Sequence, residues 1–151
     1  MSQLLSQRVI LVASFCTFLM ASIALSYDAP RHPLVYQRML AMSDARQTLE
    51  RLNDMANGRA IFHPDRARLD RRRLIRFARS IRKLFRREVM DSHSRAKPKI
   101  WESKTEFRVR ARFTLISARA LNPRSPEKLR DTLPGLLQTC LDCHTRFRVE
   151  E

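Results

Sequence analysis

Cys140-Leu141-Asp142-Cys143-His144 lies near the C-terminus, and its spacing decides how the rest of the chain is read. Cys-x-x-Cys-His is the attachment signature of c-type haem. On a helix, residues three apart share a face, so the two thiols can reach the two vinyl groups along one porphyrin edge. The adjoining His144 then turns its imidazole toward the iron. The thioethers of Cys140 and Cys143 fix the macrocycle, and His144 supplies the proximal axial ligand.

Two other chemistries use a Cys-x-x-Cys pair. A redox dithiol expects a βαβ setting, and this chain shows none. A zinc site needs two further ligands close by, and the remaining candidates, Cys16, His32, His63 and His93, are scattered. The histidine directly after the second cysteine and the export leader both favour haem c, one per chain, with its iron.

Residues 1–26 carry Arg8, no acid and an apolar run from Val9 to Leu25, with small residues at Ala24 and Ser26. This is a secretory signal cut near Ser26, leaving residues 27–151 as one domain in the periplasm. Retention as a membrane anchor is the alternative, although the run is short of the roughly 20 residues of a spanning helix. Phe15 precedes Cys16, where a lipid acceptor would want a small residue. Without the leader the only cysteines are Cys140 and Cys143. Both belong to the haem, so no disulfide framework is left. Covalent haem assembly follows export, and leader and motif agree.

The chain holds 30 Lys and Arg against 15 Asp and Glu, a net charge of +15. Such a balance attracts an acidic redox partner protein, an anionic membrane surface or nucleic acid. Export argues against nucleic acid, and no aromatic is interleaved on the basic face.

Glycine occurs only at Gly58 and Gly135, β-branched alternation is scarce, and apolar residues recur at steps of three and four. The chain is all-α. A first helix begins just after Pro33, with the stripe Val35, Met39, Met42, Ala45, Leu49, Leu52 and Met55 or Ala56, and Asn57-Gly58 stops it. Ile61-Phe62 folds back over a bundle end. Asp65 caps a second helix running to about Glu88, with Leu69, Arg73 or Leu74, Phe77 or Ala78, Ile81, Leu84 and Phe85 inward and arginine nearly everywhere else. A connector from Val89 to Lys99 leads to a third helix opened by Pro98-Lys99-Ile100-Trp101, which continues through Phe107, Phe113, Leu115 and Ile116 to Leu121. Asn122-Pro123 ends it, and Ser125-Pro126 starts the fourth. Leu129, Leu133, Leu136 or Leu137, Cys140, Cys143 or His144, and Phe147 share one face of that helix, with Pro134-Gly135 expected to kink it. The expected fold is an antiparallel four-helix bundle with haem c in its core.

The leader, the four helices, Pro98-x-Ile100-Trp101, Phe107 and the C-terminal Cys-x-x-Cys-His-x-x-Phe-Arg together resemble the class II cytochromes c. These are the cytochrome c prime group and its low-spin relatives of the cytochrome c-556 type. The resemblance covers Pro33 to Arg148. It implies a sixth-ligand position on the first helix, four after an arginine and sixteen before a loop glycine. Counting back from Gly58 gives Met42, with Arg38 four before it, and methionine there marks the low-spin branch. Met39 is the fallback, one turn earlier. The resemblance also implies that Arg38 approaches a haem propionate and that Arg148 brings positive charge to the proximal face. Trp101 either packs against the porphyrin or closes the bundle end.

His144 and Met42 together leave no open coordination site. The expectation is therefore an exported carrier of single electrons and not an enzyme, since no catalytic Ser/His/Asp set, carboxylate pair or phosphate loop is present. A pentacoordinate NO- or CO-binding haem protein is the alternative. Members of the family often dimerise through the first two helices. The arginines of the second helix oppose that pairing here, and a monomer is expected.

Overall fold

The computed structural model describes residues 30–149, and the expected leader and Cys16 fall outside that range. Helix α1 spans Pro33–Ala56. Pro33 supplies the fixed φ of a first helical position, and the His32 imidazole accepts from the Leu34 N–H at 3.0 Å. The end is the stop that Asn57-Gly58 implies. Gly58 takes φ +71, and the Arg59 N–H donates back to the Asp54 carbonyl at 2.9 Å, the long bond of a Schellman turn.

Helix α2 spans Pro64–Leu84. The expected cap is corrected: His63 is the N-cap and Asp65 sits in the first turn, where a carboxylate suits the positive end of the helix dipole. The end is corrected too, four residues short of Glu88. A helix leaves its last carbonyls without internal partners, and here side chains from elsewhere take them. The Arg38 Nε–H donates to the Leu84 carbonyl at 2.9 Å, and the Trp101 Nε1–H donates to the Phe85 carbonyl at 3.0 Å.

The third expected helix is two pieces. A single turn, α3 (Lys99–Glu102), is separated by a break at Ser103 from α4 (Lys104–Ala120). Helix α5 spans Pro126–Phe147, with the Ser125 side chain accepting from the Lys128 N–H at 3.3 Å. It runs on without interruption through Pro134-Gly135. Both residues are exposed, as is Arg130 one turn back, so the carbonyl that loses its donor to proline can be met by water.

The four long helices form a closed ring, with α1 against α2, α2 against α4, α4 against α5 and α5 against α1. This is an up-down-up-down bundle. The connector between α2 and α3 is pinned to the residues after α5. The Lys97 N–H donates to the Phe147 carbonyl and the Val149 N–H to the Arg95 carbonyl, each at 2.8 Å, around an isolated antiparallel bridge between Ala96 and Arg148.

The interior divides into two apolar clusters. One gathers Leu52, Met55, Leu74, Leu129, Leu133 and Leu136, and the other Ile81, Ile100, Trp101, Phe107, Ala111 and Phe147. Partly buried Phe77 touches both. The expected stripe of α1 needs one correction. Met39 is 40% exposed, and Arg38 takes the inward position beside it. Phe113 and Ile116 are exposed as well. Steps of three and four from Phe107 reach Ala111, Thr114 and Ala118, which are the buried residues, so Phe113 and Ile116 fall on the far side. At the bundle end Phe62 packs against the first cluster, while Ile61 points out.

A buried acid was not foreseen. Asp70 is fully buried and accepts from the Arg51 Nε–H at 3.1 Å and Nη2–H at 3.0 Å, with Arg66 and Arg73 each 3.5 Å away. Its hydrogen bond holds the Arg51 guanidinium above the ordinary arginine value. This carboxylate relieves some of the repulsion that arginines at i, i+4 impose on α2.

Candidate functional site

The Cys-x-x-Cys-His run occupies the last two turns of α5. Cys140 packs against the first apolar cluster and Cys143 against the second, so the two thiols sit side by side where the clusters meet. Neither is in a disulfide. Burial pushes both thiols from 9.0 up to about 11. For Cys143, Arg110 opposes the rise and neighbouring Cys140 and Glu106 add to it. Burial first, then the positive charges of Arg148 and Arg95, lowers His144. These effects favour the neutral imidazole, the form that can bind a metal.

The pair of thiols on one helical face, sunk into apolar surroundings and followed by a neutral imidazole, fits covalent haem c. It does not fit zinc. Among the described residues no three His, Cys, Asp or Glu side chains gather as a metal site. His32 and His63 are instead the N-caps of α1 and α2, and His93 lies in the connector, where its N–H donates to Asp91 at 2.9 Å. A prediction follows for the chain before haem is attached. At about pH 8 both thiols alkylate roughly a hundredfold more slowly than in urea-unfolded chain, because the folded thiolate fraction is that much smaller. Equal rates would show that the thiols are not held in the interior.

Met42 is half-buried on α1, between inward Arg38 and Ala45, and α1 packs directly against α5. Arg38 is not one more surface arginine: it is 3% exposed. Besides the bond to Leu84, its Nη1–H donates to the Val89 carbonyl at 2.5 Å and its Nη2–H to the Arg87 carbonyl at 2.6 Å. The guanidinium carbon lies 4.8 Å from the Phe85 ring centroid and 5.3 Å from that of Trp101. Burial pulls it below the ordinary arginine value. Trp101 is buried in the second cluster. Phe107 stands edge-on to Phe85 at 5.4 Å and to Phe147 at 5.3 Å.

Arg148 is the exposed C-cap of α5, its N–H donating to the His144 carbonyl at 2.8 Å. On the α4 side of the motif, Glu106 accepts from Arg110 at 3.1 Å and from Arg146 at 3.4 Å. Burial alone would raise the Glu106 carboxyl, but these two arginines outweigh it and lower it. A separate groove of about 620 Å³ opens between α1 and α2, lined in part by Ala45, Thr48, Arg51, Arg73 and Phe77, and touches none of the motif residues. The role of Phe85, whose ring and carbonyl connect Arg38 to Trp101, was missed. Nothing in the apolar pattern distinguishes it from an ordinary core residue.

The family model described as Cytochrome C' matches residues 34–148. Among solved structures, cytochrome c' from Rhodopseudomonas palustris superposes with a TM-score of 0.71 at 21% identity, over 80% of this chain and 99% of that one. An NMR-validated model of oxidised cytochrome c556 from R. palustris gives 0.70 at 21% identity, over 79% and 98%. A nitric oxide complex of a mutant cytochrome c prime from Alcaligenes xylosoxidans gives 0.68 at 17% identity, over 78% and 94%. At these identities the likeness is one of fold. No curated protein matches the sequence.

Proposed function

The chain belongs to the cytochrome c' family and so is a protein of one covalent c-type haem. From that premise we propose that it is an exported electron carrier whose iron is held by His144 on one face and by Met42 on the other. Bound haem c supplies one-electron cycling between two iron oxidation states. The protein supplies position, burial and charge. Cys140 and Cys143 hold the macrocycle at the junction of the two clusters. His144 enters as a neutral ligand, with the charge of Arg148 beside it. Met42 closes the distal side with a soft thioether, which raises the potential. Arg38 and Trp101 are proposed neighbours of the macrocycle, Arg38 reaching a propionate with the N–H groups that its three carbonyl bonds leave over. Met42 itself carries this reading: a methionine on the inward stripe of α1, one turn after the anchored Arg38. Met39, exposed on the same helix, is the weaker ligand candidate. No helix among the described residues is long and apolar enough to cross a membrane. Like charge along α2 supports a monomer.

A second reading has its own support. The family description and the cytochrome c prime neighbours, a nitric oxide complex among them, favour an NO- or CO-binding protein over a carrier. The absorption spectrum of the purified holoprotein separates the two. A carrier gives a low-spin ferrous spectrum that carbon monoxide leaves unchanged, and Met42→Ala converts it to high-spin while Met39→Ala does not. A high-spin wild type that shifts with carbon monoxide establishes the second reading instead.

A further inference from the structure

Helix α2 carries its charge in two separate arrangements. Arg51, Arg66 and Arg73 converge on buried Asp70, and Arg68 pairs with Asp65. Arg72, Arg76, Arg79 and Lys83 are all exposed and have no ion-pair or hydrogen-bond partner among the described residues. Their spacing of four, three and four puts them on one helical face. That face is opposite the buried one formed by Ala67, Asp70, Leu74, Ala78 and Ile81. Exposed Arg82 flanks the row. At about 1.5 Å per residue the row is roughly 17 Å long. Between Arg66 and Arg87 the only acid is Asp70, which is buried.

We propose that this row is a docking strip for the phosphates of an anionic membrane surface. Two observations favour lipid over an acidic protein. Helix α2 touches α1 and α4 but is diagonal to α5, and the row faces directly away from the core. A redox partner seated there would have the width of the bundle between itself and His144. The row also has no exposed apolar or aromatic member, whereas a protein interface is built around such a centre. Arginine dominates it, and a guanidinium pairs with a lipid phosphate through two parallel bonds as readily as with a carboxylate, so the chemistry of the row admits this occupant. Binding by this face holds the bundle flat on the surface and turns α5 toward solvent. The inference stands whichever ligand occupies the distal side of the iron.

Co-sedimentation of the holoprotein with vesicles of phosphatidylcholine and phosphatidylglycerol in equal parts tests it, with pure phosphatidylcholine as control. The wild type binds the anionic vesicles at about 50 mM salt and releases near 500 mM, where the Debye length has fallen about threefold. The triple variant Arg72→Gln/Arg76→Gln/Arg79→Gln loses roughly a hundredfold in partitioning. An equal charge loss on α4, Arg108→Gln/Arg112→Gln/Arg119→Gln, costs no more than a few-fold. The α2 variant removes unpaired like charges, so its thermal melt is not lowered, and a melt check excludes misfolding. Equal losses in the two triples overturn the proposal in favour of net charge alone. Failure of the wild type to bind anionic vesicles overturns it outright, and capture by polyglutamate under the same conditions would then assign the row to an acidic protein.

Discussion

Arg38→Ala lowers the unfolding free energy by about 3–5 kcal/mol, somewhat less than the sum of its three charge-assisted hydrogen bonds. Each hydrogen bond from a charged donor contributes roughly 1.5–3 kcal/mol, and Arg38 makes three to carbonyls, at 2.9, 2.5 and 2.6 Å. The sum is not fully lost, because Arg87 is exposed and Val89 half-buried, and water can rehydrate those carbonyls. Arg38→Lys recovers little: one ammonium on a flexible stem cannot reach three carbonyls held by a planar fork. Urea denaturation of the holoprotein measures this, and a loss under about 1 kcal/mol for alanine would show that the three bonds contribute only as exposed ones do.

Phe107→Ala costs about as much, roughly 3–5 kcal/mol, as is usual for truncating a buried phenylalanine. The ring is 6% exposed and stands edge-on to both Phe85 and Phe147, so its loss opens a cavity and removes two aromatic pairings together. Cys143 packs against the same cluster. The cavity therefore lies beside a haem-bearing thiol, and the variant also alkylates faster at Cys143 than at Cys140 in the chain before haem attachment. Phe107→Leu keeps most of the volume and costs under about 1.5 kcal/mol. Comparable losses for alanine and leucine would mean that the site collapses around the gap.

Several bounds of the long helices could be read from residues because their signals are local. Asn57-Gly58 and Ser125-Pro126 each act within a turn of themselves, and the structure uses them as the residues suggest. The haem-attachment run was equally legible, since its chemistry depends on spacing along one helix. What could not be read was decided between helices. The end of α2 at Leu84 follows from donors on α1 and α3, and no residue near Leu84 announces it. Arg38 was marked out only by the family resemblance, and its burial depends on carbonyls about fifty residues downstream. Asp70 is inward because Arg51 reaches it from another helix. Apolar periodicity has no means of placing a charged side chain inside, so it assigned Met39 the position that Arg38 holds.

The ion-paired and carbonyl-capping arginines have one more consequence. Because α2 is finished at its C-terminal end by groups borrowed from α1 and α3, it is not a transplantable module. Grafted onto another scaffold, it would keep its own Asp65 and Asp70 but lose Arg51 and the donors that close its end. Exchanged between relatives by recombination, this segment would need Arg38 and Trp101 to travel with it from the neighbouring helices.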